Sequence, residues 1–151
     1  MKFTYRIEEG LRAMDWNKVT GMLAATHWSP GISREEVEKG ARNSALVIGV
    51  FREDTQIGYA RVLSDKIRFA YLMDVIIDSE MRDQGIGEKM VEYILNHPEL
   101  SAVYQWMLVT TYAHDFYEKC GFRRTSRPED LMEIRGPRPQ DFTKSPTDNR
   151  D

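Results

Sequence analysis

The sequence has little cysteine and no long apolar run. Cys120 is the single cysteine among 151 residues, so no disulfide can form within the chain and a reducing compartment is the simple expectation. No stretch reaches the ~18 apolar residues that a bilayer-spanning helix needs, and residues 1–10 lack the apolar core of a signal peptide. These absences predict a cytoplasmic protein with no membrane partner.

Excess positive charge and clustered metal ligands are also missing. The net charge is −3, whereas nucleic-acid-binding domains are usually basic, so we expect no nucleic-acid partner. The three histidines, His27, His97 and His114, have no partner at metal-ligand spacing, and we expect no metal site. The hydrophobic fraction of 41% and charged fraction of 30% are typical of one soluble globular domain.

The most informative pattern covers residues 69–95. Residues 69–77 are apolar except for Asp74, which predicts a buried strand. A polar loop follows, with glycines at Gly85 and Gly87. Apolar residues then recur at helical spacing up to Leu95. The order is therefore strand, glycine-containing loop and amphipathic helix.

This order has two interpretations. Glycines let a backbone approach a ligand closely, and the free N–H groups and dipole at a helix start attract a phosphate. Arg82 can add positive charge to such a site. Alternatively, the glycines serve only the turn. A Walker A loop is excluded because Glu88 and Lys89 follow Gly87, and no third glycine completes a dinucleotide-binding fingerprint.

Two motifs resemble those of a known family. Arg82-x-x-Gly85-x-Gly87, between a strand and a helix, resembles motif A of the GNAT superfamily of acetyl-CoA-dependent N-acetyltransferases. The stretch from Ala113 to Phe122 resembles the A-x-x-x-Y-x-K-x-G-F pattern of the same family. The two motifs stand at the family's usual separation, and the resemblance covers residues 3–134. Asp83 departs from the pattern, because many members carry a glycine there.

The residue patterns also predict the order of elements. Strands are predicted at 3–7, 45–51, 57–63, 69–77 and 103–110, helices at 16–25, 34–43, 88–95 and 113–120, and a last hairpin at 122–125 and 131–135. Asp15 is the predicted N-cap of the first helix, and Ser33 with Glu36 forms a predicted capping box for the second. This order favours a mixed α/β (α+β) fold with helices on both faces of the sheet. The resemblance further implies a mostly antiparallel sheet with one splayed parallel strand pair.

The resemblance implies acetyl-CoA as co-substrate and assigns its contacts. Backbone groups of the strand would hold the pantetheine arm, and those of the loop would hold the pyrophosphate. The predicted cofactor-binding residues are Val75, Ile76, Ile77, Arg82, Asp83, Gln84, Gly85, Ile86, Gly87 and Glu88.

Two residues are candidates for the chemistry. By resemblance, Tyr117 is the general acid that protonates the departing thiolate; a core tyrosine is the alternative interpretation. Asp74 either helps to remove the amine proton or is a paired structural carboxylate. On a regular strand Asp74 and Tyr71 would lie on opposite faces. Tyr71 stands where some members carry a catalytic glutamate, so the general base is not identified.

The expected acceptor is a primary amine on a small molecule or peptide. His27 and Trp28, in a loop that often covers the acceptor in this family, and Tyr71 are the candidate substrate residues. Residues 1–135 would form the acetyltransferase domain and 136–151 a flexible tail. Residues 103–109 or the last hairpin would serve a possible homodimer. The alternative function is a CoA-binding sensor or interaction module without catalysis.

Overall fold

One five-stranded sheet forms the centre of the molecule. The computed structural model describes residues 4–139. Its strands are β1 (Arg6–Glu9), β2 (Leu46–Arg52), β3 (Thr55–Ser64), β4 (Ala70–Ile77) and β5 (Trp106–Met107), and its α-helices are α1 (Trp16–Ala24), α2 (Arg34–Arg42), α3 (Ile86–Leu95) and α4 (His114–Lys119). The strands lie in the sheet in their sequence order.

The last pair of strands separates almost as soon as it forms. The pairs β1–β2, β2–β3 and β3–β4 are antiparallel, whereas β4 and β5 are parallel. The parallel pairing joins only Ala70 to Trp106 and Tyr71 to Met107. Beyond Tyr71, β4 continues to Ile77 with no further pairing to β5 in the described part of the chain. The predicted mixed sheet with a splayed parallel pair is therefore confirmed.

Helices cover both faces of the sheet, as predicted. One apolar cluster joins α3 to the sheet through residues such as Met90, Ile94, Ile48 and Val62. The second cluster joins α1 and α2 to the opposite face and has different members: Val19, Leu23, Val37, Ala41, Val47, Phe51, Tyr59 and Ile76. Burying a side chain of this size contributes about 1.5–3 kcal/mol, so the two clusters hold the sheet between its helices.

The predicted helix starts are confirmed by their hydrogen bonds. The Asp15 carboxylate accepts from the backbone N–H of Lys18 at 3.1 Å. Ser33 and Glu36 form the complete capping box at the start of α2. These caps depend on residues within one turn of each other, which explains why the local sequence predicts them well.

The predicted C-terminal strands are wrong. Residues 122–125 and 131–135 form no hairpin, and the predicted strand at 103–110 is reduced to Trp106–Met107. A strand requires a neighbour for its backbone hydrogen bonds, and the separation of β4 from β5 removes that neighbour. Apolar side chains such as Ile134 consequently remain exposed. Most of the predicted tail, residues 140–151, lies outside the described residues, as does Phe3.

Candidate active site

A bulge in β4 reorients the one charged residue of this strand. Tyr59 of β3 lies opposite Ile76 and Arg61 lies opposite Met73, so Asp74 and Val75 together face a single residue of β3. Asp74 has a φ of 56°, a left-handed conformation that is uncommon outside glycine. The bulge directs Asp74 to the α1–α2 face, which also carries Met73 and Tyr71. A regular strand would place Tyr71 and Asp74 on opposite faces, but the bulge makes β4 irregular and brings the two residues to the same face.

Each carboxylate oxygen of Asp74 accepts a hydrogen bond from a different side chain. Its Oδ2 accepts from Nε of Arg61 at 2.7 Å, and its Oδ1 accepts from the indole Nε1 of Trp28 at 3.3 Å. The Arg61 and Asp74 side chains are 15% and 12% exposed, so the ion pair is largely shielded from water. Arg61 also donates to the Gly40 carbonyl of α2 at 3.4 Å. The pair therefore connects β3, β4, α2 and the loop between α1 and α2.

An aromatic group extends from this loop towards the strand ends. The His27 and Trp28 rings lie edge to face with their centroids 5.2 Å apart, and His27 contacts Tyr112 in the same way at 5.1 Å. Trp28 is 48% and Tyr112 82% exposed. These three aromatic side chains stand beside the Arg61–Asp74 pair and present apolar surface to solvent.

The loop between β4 and α3 has a special backbone at two positions. Asp83 and Gly85 have φ values of 63° and 78°, on either side of Gln84. An added Cβ on Gly85 would meet no atom within 4 Å, so the glycine is required by the backbone conformation and not by crowding. Gly85 is also the N-cap of α3, and no side chain accepts from the first N–H groups of this helix. The helix start is thus available to an anion.

The second glycine of the motif has a packing role. A Cβ on Gly87 would lie 3.0 Å from Cζ of Phe116, so a side chain at residue 87 would push the Phe116 ring back by a few tenths of an ångström. The preceding Gln84 has a buried Oε1 without a hydrogen-bond partner among the described residues. Buried polar atoms are seldom left unpaired, so this amide points to a ligand or water at the loop.

Two side chains hold the loop in place. Lys18 of α1 donates to a carboxylate oxygen of Asp78, and Nε of Arg82 donates to the Ile77 carbonyl at 3.4 Å. The hydrogen bond from Lys18, together with one from the Glu80 backbone, lowers the pKa of Asp78 below its ordinary value of 3.8. At least one N–H group of Arg82 is therefore hydrogen-bonded to the end of β4.

Tyr117 lies among aromatic rings on α4. Its ring makes edge-to-face contacts with Phe116 and Phe122 at centroid distances of 4.9 and 5.9 Å. Burial, with a smaller effect from Cys120, raises the pKa of Tyr117 to about 12. The phenol therefore keeps its proton throughout the neutral range. Tyr117 packs against the apolar cluster on the α3 side of the sheet, whereas Asp74 pairs with Arg61 on the α1–α2 side.

The structure brings Trp28 and His27 to Asp74, and places Tyr71 on the same face. Val75 to Ile77 follow the bulge, with Ile76 buried between α1 and α2, while Glu88 is exposed in the first turn of α3. The sequence analysis missed Arg61. An arginine in an apolar strand, close to a strand carrying a lone aspartate, is the signal that predicts such a pair.

Two classes of feature are not found in residues 4–139. No helix in this range is long and apolar enough to cross a bilayer. The same residues contain no group of three or more histidine, cysteine, aspartate or glutamate side chains arranged to hold a metal ion.

A family model and a solved structure both relate this chain to the same family. Residues 43–124 match the family described as "Acetyltransferase (GNAT) domain". A crystal structure of a protein from Xanthomonas campestris pv. campestris, assigned to the GNAT family, superimposes with a TM-score of 0.83 at 30% identity. That superposition covers 89% of this chain and 94% of the other.

Two curated relatives match shorter segments. An uncharacterized ycf52-like N-acetyltransferase of Prochlorococcus marinus is 30% identical over 89 residues, which are 56% of this chain and 49% of the relative. Glucosamine 6-phosphate N-acetyltransferase of Arabidopsis thaliana is 33% identical over 57 residues, 37% of this chain and 38% of the relative. The chain thus matches about half, or less, of the length of these two relatives.

Proposed function

Because the chain belongs to the GNAT family of acetyltransferases, we propose that it transfers an acetyl group from acetyl-CoA to a primary amine on a small molecule or peptide. The observation that carries this proposal is the start of α3. There, the left-handed Gly85 leaves the first N–H groups of the helix without a capping side chain. An uncapped helix start beside separated parallel strands suits a phosphate-bearing carrier.

The residues of the loop fit the carrier's pyrophosphate. Backbone groups from Arg82 to Glu88 would bind it, whereas the buried Oε1 of Gln84, which can only accept, needs an N–H or O–H donor from water or from another part of the carrier. The outer edge of β4 at Val75 to Ile77 would hold the amide-rich arm as an added strand does. Asp83 places a carboxylate next to this site, which we expect to lower the affinity for the pyrophosphate.

The thioester supplies the acyl group, and the residues of the chain position the amine and move protons. The amine nitrogen forms the new bond to the acetyl carbon while the carbon–sulfur bond breaks, and CoA leaves as thiolate. We assign Tyr117 as the general acid that gives this thiolate its proton. The raised pKa keeps the phenol protonated at neutral pH and also makes it a weaker acid, so Tyr117 acts mainly by sharing its proton with the thiolate through a hydrogen bond.

Asp74 has a positioning role in this proposal. Both of its oxygens accept hydrogen bonds, from Arg61 and Trp28, and the paired arginine makes the carboxylate a weaker base for the amine proton. The contacts favour the paired structural carboxylate over the proton acceptor. The proton lost by the amine then goes to water, and His27 and Trp28 border the acceptor.

Thermal unfolding with acetyl-CoA tests the carrier site. A ligand at ~100 times its dissociation constant adds about 2.7 kcal/mol of stability if it binds only the native state. That corresponds to a rise of several degrees in the unfolding temperature for a domain of this size. An unchanged temperature at millimolar acetyl-CoA would contradict the proposal.

Thiol release from acetyl-CoA in the presence of an amine panel tests catalysis. Release with at least one amine supports the transferase. Binding of acetyl-CoA without release from any amine would favour the alternative, a CoA-binding sensor or interaction module. Cytoplasmic location and a homodimer remain predictions, to be examined by fractionation and by sedimentation.

A further inference from the structure

One part of the α1–α2 face of the sheet is left open by the helices. Near the β3–β4 turn, a groove of about 500 Å³ is lined by Leu63, Ser64, Asp65, Phe69, Tyr71 and Met73. The four apolar or aromatic members are only half-buried. They share one face because Tyr71 lies directly opposite Leu63, and because Phe69 and Met73 stand two residues to either side of Tyr71.

The polar members of this groove, Ser64 and Asp65, make hydrogen bonds within the turn, while the second carboxylate oxygen of Asp65 stays outside these bonds on an exposed residue. The Ser64 hydroxyl donates to the Phe69 carbonyl at 2.6 Å and accepts from the backbone N–H of Lys66 at 2.8 Å. Oδ1 of Asp65 accepts from three backbone N–H groups, those of Ile67, Arg68 and Phe69. Recognition inside the groove therefore depends mainly on apolar contact and shape.

The groove ends at the proposed reaction site. Tyr71 lines the groove and also forms, with Met107, the last paired position before β4 and β5 separate. Met73, at the same end, immediately precedes Asp74. A molecule lying in the groove would thus present its end to the point where the strands part and where the aromatic residues of the α1–α2 loop stand.

We propose that this groove binds the apolar body of the acceptor, so that the substrate is a primary amine carried on an alkyl or aromatic group. The inference rests on the proposed acetyl transfer and narrows its substrate class. The amine lies at the strand fork near Tyr71, and the apolar body extends towards Leu63 and Phe69. The groove offers a polyamine or sugar phosphate the second carboxylate oxygen of Asp65 and otherwise four apolar or aromatic side chains, so we expect polar acceptors to gain less from it than an alkyl amine does.

A series of straight-chain amines from propylamine to heptylamine tests the inference. Their amino groups have nearly the same pKa and nucleophilicity, so only the apolar surface changes along the series. We expect kcat/KM for thiol release to increase about fourfold for each methylene that enters the groove. Putrescine, lysine and glucosamine 6-phosphate, measured in parallel, should be poorer acceptors than heptylamine.

A matched pair of variants locates the effect. Leu63→Lys places a charge inside the groove, and Ile67→Lys places the same charge on the same turn at a side chain that is 62% exposed and outside the groove. Leu63→Lys should abolish most of the dependence on chain length, whereas Ile67→Lys should retain it. If Leu63→Lys does not fold, the dependence of kcat/KM on chain length in the unaltered chain tests the inference by itself.

The outcomes separate this inference from the proposed function. Thiol release that is independent of chain length, or fastest with a polar amine, overturns the groove assignment and leaves acetyl transfer standing. No release from any amine overturns both. A change in molecular mass of Leu63→Lys alone, measured by sedimentation, would assign the groove to contact between two copies and also overturn the inference.

Discussion

The two ends of β4 are built in different ways. After Ile77 the proposed carrier site is formed by backbone: two left-handed residues, Asp83 and Gly85, and an uncapped helix start. Around Asp74 the site is formed by side chains from β3, β4 and the α1–α2 loop, together with a backbone carbonyl of α2. The first type of site uses residues that are neighbours in the sequence, and the second uses residues that only folding brings together. The difference explains why the sequence predicts the carrier loop and misses Arg61.

The largest expected effect is on the free energy of unfolding and comes from breaking the Arg61–Asp74 ion pair. Arg61→Leu leaves the Asp74 carboxylate largely buried without its cation, and we expect the free energy of unfolding to fall by about 3 kcal/mol. Urea denaturation measures this change. The double variant Arg61→Leu with Asp74→Leu removes both charges and should be more stable than Arg61→Leu alone. A double variant that loses the sum of two single effects would show that the pair is not coupled.

A substitution of Tyr117, on α4, tests the proposed proton transfer to the thiolate. Tyr117→Phe should lower kcat by at least ~10²-fold, the lower limit for a lost general acid, with little change in acetyl-CoA affinity because the ring contacts are kept. Because burial raises the pKa of Tyr117 to about 12, ionisation of this group should not reduce the rate of the unaltered enzyme at neutral pH. Phe122→Leu, which alters the same aromatic group without removing a hydroxyl, serves as the control. Full activity of Tyr117→Phe would remove this residue from the mechanism.

Gly85 tests whether the backbone end binds the carrier. Gly85→Ala places a Cβ at a positive φ, at a cost of about 1 kcal/mol in stability, and directs it into the space where the carrier's phosphates are proposed to lie. We expect the dissociation constant for acetyl-CoA to rise about tenfold, as measured by calorimetry. Gly10→Ala, at another positive φ with no atom within 4 Å and outside the loop, should lose stability but keep its affinity. Equal affinities in the two variants would mean that Gly85 serves only the turn.

The smallest expected effect concerns the support of the loop. The hydrogen bond from Lys18 lowers the pKa of Asp78 in the folded protein, so the ionised carboxylate stabilises the fold above the ordinary pKa. This contribution is lost as the pH falls through the lowered folded-state pKa. Asp78→Asn should therefore reduce the free energy of unfolding by about 1 kcal/mol at pH 7, with the difference from the unaltered chain disappearing once the pH is below the lowered folded-state pKa of Asp78. A difference that persists in acid would show that packing, not charge, is responsible.

Local patterns predicted most of the fold and the presence of the loop before α3. The strand at residues 69–77, the helix after it and the capping box at Ser33 depend on residues close in sequence, and all three are present. The loop motif also identified the family correctly. Gly87 also packs against Phe116, a residue of another helix, while its backbone contact with the carrier stays a prediction. Local sequence cannot show such a contact.

The C-terminal part shows the limit of strand prediction. Residues 131–135 have the apolar content of a strand, but Met132 and Ile134 are 98% and 104% exposed and the segment forms no strand. Strand formation needs a hydrogen-bonding neighbour as well as a suitable sequence. Such a neighbour is a property of the whole sheet, and β5 is too short to provide it here.

The sequence alone determined the family, the mixed sheet with helices on both faces, and the loop that precedes α3. These features depend on periodicity, caps and glycine positions, which act over a few residues. Only the tertiary structure decided where Asp74 points, what it binds and which part of the sheet stays open. A single extra residue in β4 turns Asp74 to the side of Tyr71 and Arg61, and only the pairing of β4 with β3 reveals this bulge.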